Sequence, residues 1–233
     1  MVLGGLQKNS LIDYPGKISC VLFLSGCNLA CPYCHNPALV RGNAPAAPGP
    51  SDDEGLFGFL ERRKAFLDGV VISGGEPTLE KDLFSLCLRI KEMGYPVKLD
   101  TNGSRPRVLK RLMDEGAVDY IAMDIKADPF DYAPFVRGEF HPEDILKSIE
   151  GIMDSGLPYE FRTTCVKSIV DEGTIEAISR IIHGARLYAL QEFHESEVLH
   201  PEFFQDMNPR YDHGEMVHFK SVAEPWVQQC IIR

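Results

Sequence analysis

The sequence predicts an α/β fold in which mostly parallel strands alternate with outer helices. Six apolar runs have the length of strands, and the segments between them carry apolar residues at the three- and four-residue spacing of amphipathic helices. Four of these segments end at a glycine, as helices often do. This order favours an open or partial barrel, or a doubly wound sheet, and the spacing does not choose between them. The strand-like runs are 18–24, 70–73, 96–100, 120–126, 159–166 and 185–193, and the helix-like segments are 54–66, 79–94, 105–116, 142–156 and 171–184.

Length and charge narrow the classes of protein. The 233 residues suffice for a self-sufficient core, and we expect a single domain over 1–233 whose part from about 195 to 233 is irregular. The proline-rich stretch 43–53 is predicted to be a surface loop. A formal charge of −10 offers no basic surface to a phosphate backbone, so nucleic acid is not an expected partner. No secretory signal or membrane-spanning run is evident, so a cytoplasmic location is expected and a membrane partner is not.

The stretch SGCNLACPYCHNP places three cysteines within eight positions: Cys27, Cys31 and Cys34. In a reducing compartment, clustered thiols indicate metal binding or catalysis. Three thiolates can hold three irons of a [4Fe–4S] cluster and leave the fourth iron open to an outside ligand. Structural zinc is the alternative, but it needs four protein ligands, and the fourth would have to be the adjacent His35. The other cysteines are expected to be small buried hydrophobic residues: Cys20, Cys87, Cys165 and Cys230.

Informative residues also follow the other predicted strands at their carboxyl ends. Ligands of parallel α/β folds bind at that edge, so we expect these residues to form one site. Structural alternatives exist for three of them: GGEP at 74–77 suits a tight turn before a helix, DTNG at 100–103 suits a plain turn with Asp as a helix cap, and Lys126 suits a solvated strand end. In strand order the residues are the three cysteines, Gly74 to Pro77, Asp100 to Gly103, Asp124 with Lys126, Arg162 and Gln191.

The cysteine spacing, with Tyr33 before the last cysteine, resembles the signature of the radical S-adenosylmethionine superfamily. The longer stretch from Asp13 to Pro37, DYPGKISCVLFLSGCNLACPYCHNP, resembles the glycyl-radical-enzyme activases. Within them it is most similar to activating proteins of anaerobic ribonucleoside-triphosphate reductase, and it departs from the pyruvate formate-lyase activases at Tyr14 and Lys17. The resemblance implies a partial (β/α)6 barrel. It also implies reductive cleavage of S-adenosylmethionine and hydrogen abstraction from a partner by the 5′-deoxyadenosyl radical.

The resemblance also implies roles for single residues. Cys27, Cys31 and Cys34 would bind the [4Fe–4S] cluster. Lys126, on the carboxylate or ribose side of S-adenosylmethionine, and Arg162, at its carboxylate, would be the catalytic residues. The other implied cofactor contacts are Tyr33 near adenine, Gly74, Gly75 and Glu76 near the methionine amino group, Asp124, and Gln191 or His194. A site for Na⁺ or K⁺ would use Asp100, Thr101, Asp124 and the carbonyl of Met123, since such ions take hard oxygen ligands. His35 and Asn36 would line the cofactor or the cluster, and a role in fixing the Asn-Pro turn is an equal alternative. His200 also follows the sixth strand, where related activases place a histidine that contacts the cofactor.

Three functions remain open at this point. The first is an activase that generates a glycyl radical on a large partner enzyme and receives electrons from a flavodoxin- or ferredoxin-type donor. The second is a radical S-adenosylmethionine enzyme that acts on a small molecule or a peptide. The third is a zinc-stabilised binding module without catalysis, which would contain zinc and would not respond to S-adenosylmethionine.

Overall fold

The computed structural model describes residues 3–41, 53–194, 197–205 and 207–233. The predicted surface loop over 43–53 lies outside the described residues apart from its last residue, which begins a helix. The strands are β1 (Leu3–Ser10), β2 (Ser19–Leu24), β3 (Gly69–Gly74), β4 (Val97–Thr101), β5 (Tyr120–Asp124), β6 (Tyr159–Cys165), β7 (Tyr188–Glu192) and β8 (Cys230–Ile232). The helices are α1 (Pro37–Val40), α2 (Asp53–Arg62), α3 (Leu83–Glu92), α4 (Pro106–Asp114), α5 (Pro142–Asp154), α6 (Glu172–Ile181) and α7 (His213–Ala223).

The strands form one eight-stranded sheet in the order β1-β2-β3-β4-β5-β6-β7-β8. β1 is antiparallel to β2, whereas β2 to β3, β3 to β4, β6 to β7 and β7 to β8 are parallel pairs. The predicted α/β class with mostly parallel strands is therefore confirmed. The six predicted strands are β2 to β7, and the sheet is longer than predicted by β1 and β8, one at each edge.

The five predicted helices are α2 to α6, and the local signals explain them. On α3 the buried side chains Leu83, Leu86, Cys87 and Ile90 recur at helical spacing, so one face packs inward. The glycines expected to end four of the helices all adopt the left-handed backbone conformation that favours glycine: Gly94, Gly116, Gly156 and Gly184, with φ between 64° and 88°.

The C-terminal part is more regular than predicted. α7 begins at a capping box, in which the Asp212 side chain accepts from the amide of Glu215 and the Glu215 side chain accepts from the amide of Asp212. β8 then adds to the sheet beside β7, with Tyr188 paired to Cys230. The D-x-x-E spacing of the capping box was visible in the sequence, whereas three residues are too few to predict β8 from their pattern.

The described chain divides into two compact units. The first contains residues up to 28, 36–101 and 107–121, and the second contains 29–35, 102–106 and 122–233, within the described ranges. In the first unit Tyr14, Val21 and Val71 form a buried apolar cluster. In the second unit α5 buries Ile145, Ile149 and Ile152. None of the helices in the described ranges is both long and apolar enough to cross a membrane.

Candidate functional site

In the first unit, the loop after β3 lies in backbone contact with the segment that leads to Cys27. The amide of Gly75 donates to the Leu24 carbonyl at 2.8 Å, and the amide of Glu76 donates to the Gly26 carbonyl at 2.8 Å. A Cβ atom on Gly74 would lie 2.4 Å from the Leu24 oxygen, and one on Gly75 would lie 2.0 Å from the Gly26 oxygen. Gly74 also has a φ of 115°. Both glycines are therefore required by this close approach.

Glu76 is a buried carboxylate, 1% exposed, that caps the short 3₁₀ helix Pro77–Leu79. Its Oε1 accepts from the amide and the hydroxyl of Thr78 and from the hydroxyl of Thr101 at 2.8 Å. Thr101 ends β4, so Glu76 ties the loop after β3 to the carboxyl end of the neighbouring strand. The GGEP stretch thus has a structural function whether or not it binds a cofactor.

The same unit contains an ion pair that the sequence reading did not include. Lys98 and Asp100 lie two residues apart on β4, so their side chains share one face of the sheet. The Lys98 ammonium donates to Asp100 Oδ1 at 2.6 Å and lies 5.8 Å from the centre of the Tyr120 ring. Lys98 is 1% exposed, which is unusual for a lysine.

In the second unit, the loop 29–35 carries Cys31, Tyr33 and Cys34 and is held by backbone hydrogen bonds from two segments. The amide of Ala30 donates to the Phe135 carbonyl at 2.6 Å, and Leu29 forms an isolated β-bridge with Val136. Two further hydrogen bonds come from the C-terminal part of the chain. The amide of Leu199 donates to the Cys34 carbonyl, and the amide of His200 donates to the Pro32 carbonyl. The region predicted to be irregular therefore supports the cysteine loop.

Cys31 and Tyr33 are buried within this unit. Burial raises the pKa of the Cys31 thiol to about 11, and the nearby Lys126 ammonium opposes that rise. Burial also raises the pKa of Tyr33 well above its ordinary value, and Cys31, Tyr132 and Asp124 add to the rise. The Tyr33 hydroxyl is buried and has no hydrogen-bond partner among the described residues. It could therefore donate to a bound group.

The residues after β5 and on β6 form a connected set of ion pairs. Arg162 Nε donates to Asp124 Oδ1 at 2.7 Å, and Lys126 Nζ donates to Asp124 Oδ2 at 2.9 Å. Although burial alone would raise the pKa of Asp124, the two cations hold it far below its usual range. Burial alone would lower the pKa of Lys126, but the charge of Asp124 raises it above the ordinary lysine value. The structure therefore joins Asp124 and Lys126, at the end of one predicted strand, to Arg162 on the next predicted strand.

Two further charges extend this set, and the sequence reading missed both. Glu160, 1% exposed, lies two residues before Arg162 on β6, and its Oε1 is 3.9 Å from Arg162 Nη1. Arg233 Nη2 lies 2.8 Å from Glu160 Oε2. The alternation of Glu160 and Arg162 on one strand face could have indicated Glu160, whereas no local signal pointed to Arg233. We call Lys126, Asp124, Arg162, Glu160 and Arg233 the charged chain.

The remaining predicted residues occupy varied places. Met123 is fully buried, and its side chain fills the space beside Gly103, where a Cβ would lie 2.1 Å from Met123 Cε. Gln191 is half-buried on β7, in register with Thr164 of β6. His35 stacks on Phe193 with ring centres 5.3 Å apart, and burial, followed by His194, lowers its pKa. Each of these positions is compatible with a structural role as well as with the predicted contact to an ion, the cofactor or the cluster.

The donor chemistry of the cysteine loop fits an iron–sulfur cluster. Thiolates are the ligands that such clusters use, and the loop adds a buried hydroxyl without a protein partner among the described residues, beside Cys31. Metal coordination deprotonates a thiol, which offsets the raised pKa of Cys31. Within the described ranges, no three or more His, Cys, Asp or Glu side chains are grouped as they would be around a metal ion.

Comparisons with known proteins address the family directly. A family model for the radical SAM superfamily matches residues 21–181, more than half of the chain. A protein of Methanocaldococcus jannaschii, named as a candidate glycyl-radical enzyme activating enzyme, is 36% identical over 237 residues, covering 100% of this chain and 95% of the relative. A pyruvate formate-lyase-activating enzyme of Clostridium pasteurianum is 31% identical over 203 residues, covering 80% of this chain and 79% of the relative.

Among solved structures, SuiB of Streptococcus suis has a similar fold, with a TM-score of 0.66 at 13% identity. The match covers 91% of this chain and 48% of that chain, so this protein corresponds to about half of SuiB. At that identity the similarity concerns the fold alone, and it agrees with the α/β architecture described above. The family model and the two sequence relatives show that the chain belongs to the radical S-adenosylmethionine superfamily and, within it, to the glycyl-radical-enzyme activating enzymes.

Proposed function

We propose that this protein is a radical S-adenosylmethionine activase that generates a glycyl radical on a partner enzyme resembling anaerobic ribonucleoside-triphosphate reductase. The observation that carries the catalytic part is the charged chain beside the buried thiol of Cys31. It contains three cations and two carboxylates, so it has one positive charge in excess. An incoming carboxylate, such as that of S-adenosylmethionine, would neutralise this excess.

The site residues of this protein have distinct roles in this proposal. Cys27, Cys31 and Cys34 would hold the [4Fe–4S] cluster. When bound, the cluster and S-adenosylmethionine would supply one-electron cleavage of the sulfonium, with the electron from a flavodoxin- or ferredoxin-type donor, and hydrogen abstraction from the partner's glycine. The protein would bind and orient the cofactor.

Lys126 and Arg162 are the residues that would bind the cofactor carboxylate. An ammonium has three donors, and Asp124 takes one from Lys126. Asp124 is a positioning residue, because it holds Lys126 and Arg162 through its two oxygen atoms. The amide of Lys126 also donates to the Tyr132 hydroxyl at 2.6 Å, which fixes the backbone at this position. Gly74, Gly75 and Glu76 would offer the loop after β3 to the cofactor's amino group.

The first experiment is anaerobic electron paramagnetic resonance of the reduced, reconstituted protein, with and without S-adenosylmethionine. We expect a [4Fe–4S]⁺ signal that changes when the cofactor is added, because the cofactor would occupy the open iron. Cys31→Ala should lose the cluster signal. Cys87→Ala is the matched control, since Cys87 is also buried but lies on α3. A protein that contains zinc and no cluster after reconstitution would contradict the proposal.

The partner is tested separately, because the match to a pyruvate formate-lyase-activating enzyme leaves the partner's identity to experiment. The reduced, reconstituted protein with S-adenosylmethionine is mixed with an anaerobic ribonucleoside-triphosphate reductase or with a pyruvate formate-lyase. The glycyl-radical signal of the partner is then measured. Reduced flavodoxin and ferredoxin are compared as electron donors. We expect the signal with the reductase. A signal with the lyase alone would reject the proposed partner and retain the activase chemistry.

A further inference from the structure

The buried ammonium of Lys98 is the feature that the proposed function does not use. Burial of a charged lysine is costly unless a carboxylate pairs with it, and Asp100 provides that carboxylate at 2.6 Å. Asp100 is itself largely buried, with its side chain 13% exposed. The two groups lie two residues apart on one strand, so their side chains are on the same face of the sheet.

Asp100 is also one of the residues that the family resemblance assigns to a Na⁺ or K⁺ ion. A monovalent metal ion at Asp100 would lie beside the Lys98 ammonium, and two like charges in a buried environment repel each other strongly. The implied ion therefore does not fit the residues around Asp100.

Asp124, the other implied carboxylate ligand, shows the same pattern in the second unit. Each of its oxygens accepts from a protein cation, Oδ1 from Arg162 and Oδ2 from Lys126. The carboxylate charge is thus already balanced by side chains of the same unit, which removes the electrostatic reason to bind a metal ion.

We infer that this protein supplies its own cations at these carboxylates and takes no Na⁺ or K⁺ there, with the Lys98 ammonium in the place of the metal ion at Asp100. Ammonium and potassium ions carry the same charge and are of similar size, so one can replace the other beside a carboxylate. The inference concerns the cation site that the family resemblance implies, and it depends only on the charges of the described residues.

The test compares thermal unfolding of the reconstituted protein in potassium, sodium and choline chloride at equal ionic strength, with and without S-adenosylmethionine. Choline is too large to enter a buried site. We expect the Tm of the wild-type protein to be the same in the three salts. Lys98→Met leaves Asp100 without its ammonium, so its Tm should be higher in potassium or sodium than in choline by roughly 2–4 °C, because an ion that binds only the folded state stabilises it.

Two further variants separate charge from packing. Lys98→Arg retains a cation and should be insensitive to the salt. The double variant Lys98→Met with Asp100→Asn removes both charges and should be insensitive as well, whatever its Tm. A Lys98→Met protein that folds in potassium but not in choline would support the inference in its strongest form.

Two results would overturn the inference. One is a wild-type protein whose Tm, or whose affinity for S-adenosylmethionine, is higher in potassium or sodium than in choline. The other is a Lys98→Met protein that folds and shows the same Tm in all three salts. If Lys98→Met folds in none of them, the wild-type comparison decides. Since unfolding requires no turnover, failure of the proposed activity would leave this result intact.

Discussion

Glu76 and Asp124 are both carboxylates that lie at or just after the carboxyl ends of parallel strands, and the donors at Oε1 of Glu76 differ in kind from those at Asp124. Glu76, in the first unit, accepts at Oε1 from the amide and hydroxyl of Thr78 and from the hydroxyl of Thr101, which are neutral groups. Asp124, in the second unit, accepts from Arg162 and Lys126, which are cations. Both carboxylates therefore occur at the end of a parallel strand, each in its own unit, and they differ in the charge of these donors.

The difference separates local architecture from ligand recognition. The neutral donors of Glu76 come from its own loop and the end of β4, so the contacts fix the shape of the loop. The cations at Asp124 belong to a chain of charges that continues to Glu160 and Arg233. Burying such a chain contributes little to stability by itself, because the cost of removing the charges from water offsets their attraction. The proposed binding of a cofactor carboxylate gives these charges a function that stability alone does not.

The largest expected effect is that of removing the Asp124 charge. Asp124→Asn leaves Lys126 and Arg162 partly buried without their carboxylate, and breaking such a pair costs about 3 kcal/mol. For a chain of this length the Tm should fall by roughly 6–12 °C. Circular dichroism of the reconstituted protein during heating measures the change.

The matched control is Asp114→Asn, the same chemical change in an exposed pair with Lys110 on α4. Its side chain is 57% exposed, so we expect a loss of about 0.5 kcal/mol or less. Equal losses for the two variants would mean that Asp124 is no more than a surface ion pair, and the comparison with Glu76 would lose its basis.

A smaller effect is expected from Gly75→Ala, which breaks the loop that carries Glu76. The added Cβ would meet the Gly26 carbonyl oxygen at 2.0 Å, so the backbone must move and the bond from the Glu76 amide to that carbonyl is strained. We expect a loss of about 2 kcal/mol, measured by chemical denaturation. Gly173→Ala, on α6, is the control, because its nearest contact is an ordinary 3.5 Å. A Gly75→Ala protein as stable as that control would show that the close approach is not required.

Sequence patterns predicted the regular part of the molecule and the identity of several site residues, but not how charges pair across strands. Periodicity suffices for α2 to α6, and terminal glycines add to it for α3 to α6, since both are local signals. Arg162 and Asp124 were each singled out, yet their direct bond arises from the pairing of strands 38 residues apart in the chain. Lys98 and Glu160 were passed over because a charged residue within a strand resembles an exposed one until its burial is known.

The smallest effect is expected from Thr101→Val, which removes one neutral donor from Glu76 and preserves the shape of the side chain. Glu76 keeps both donors from Thr78, so the loss should be about 1.5 kcal/mol, the low end of the range for a hydrogen bond to a charged group. Thr174→Val is the control, because the Thr174 hydroxyl donates to Asp171 at an exposed helix start. We expect that variant to lose about 0.5 kcal/mol or less. Denaturant titration of the two variants gives the difference. If Thr101→Val costs as much stability as Asp124→Asn, then neutral and cationic donors stabilise their carboxylates equally. The charged chain would then have no electrostatic feature that distinguishes it as the proposed binding site for an anionic ligand.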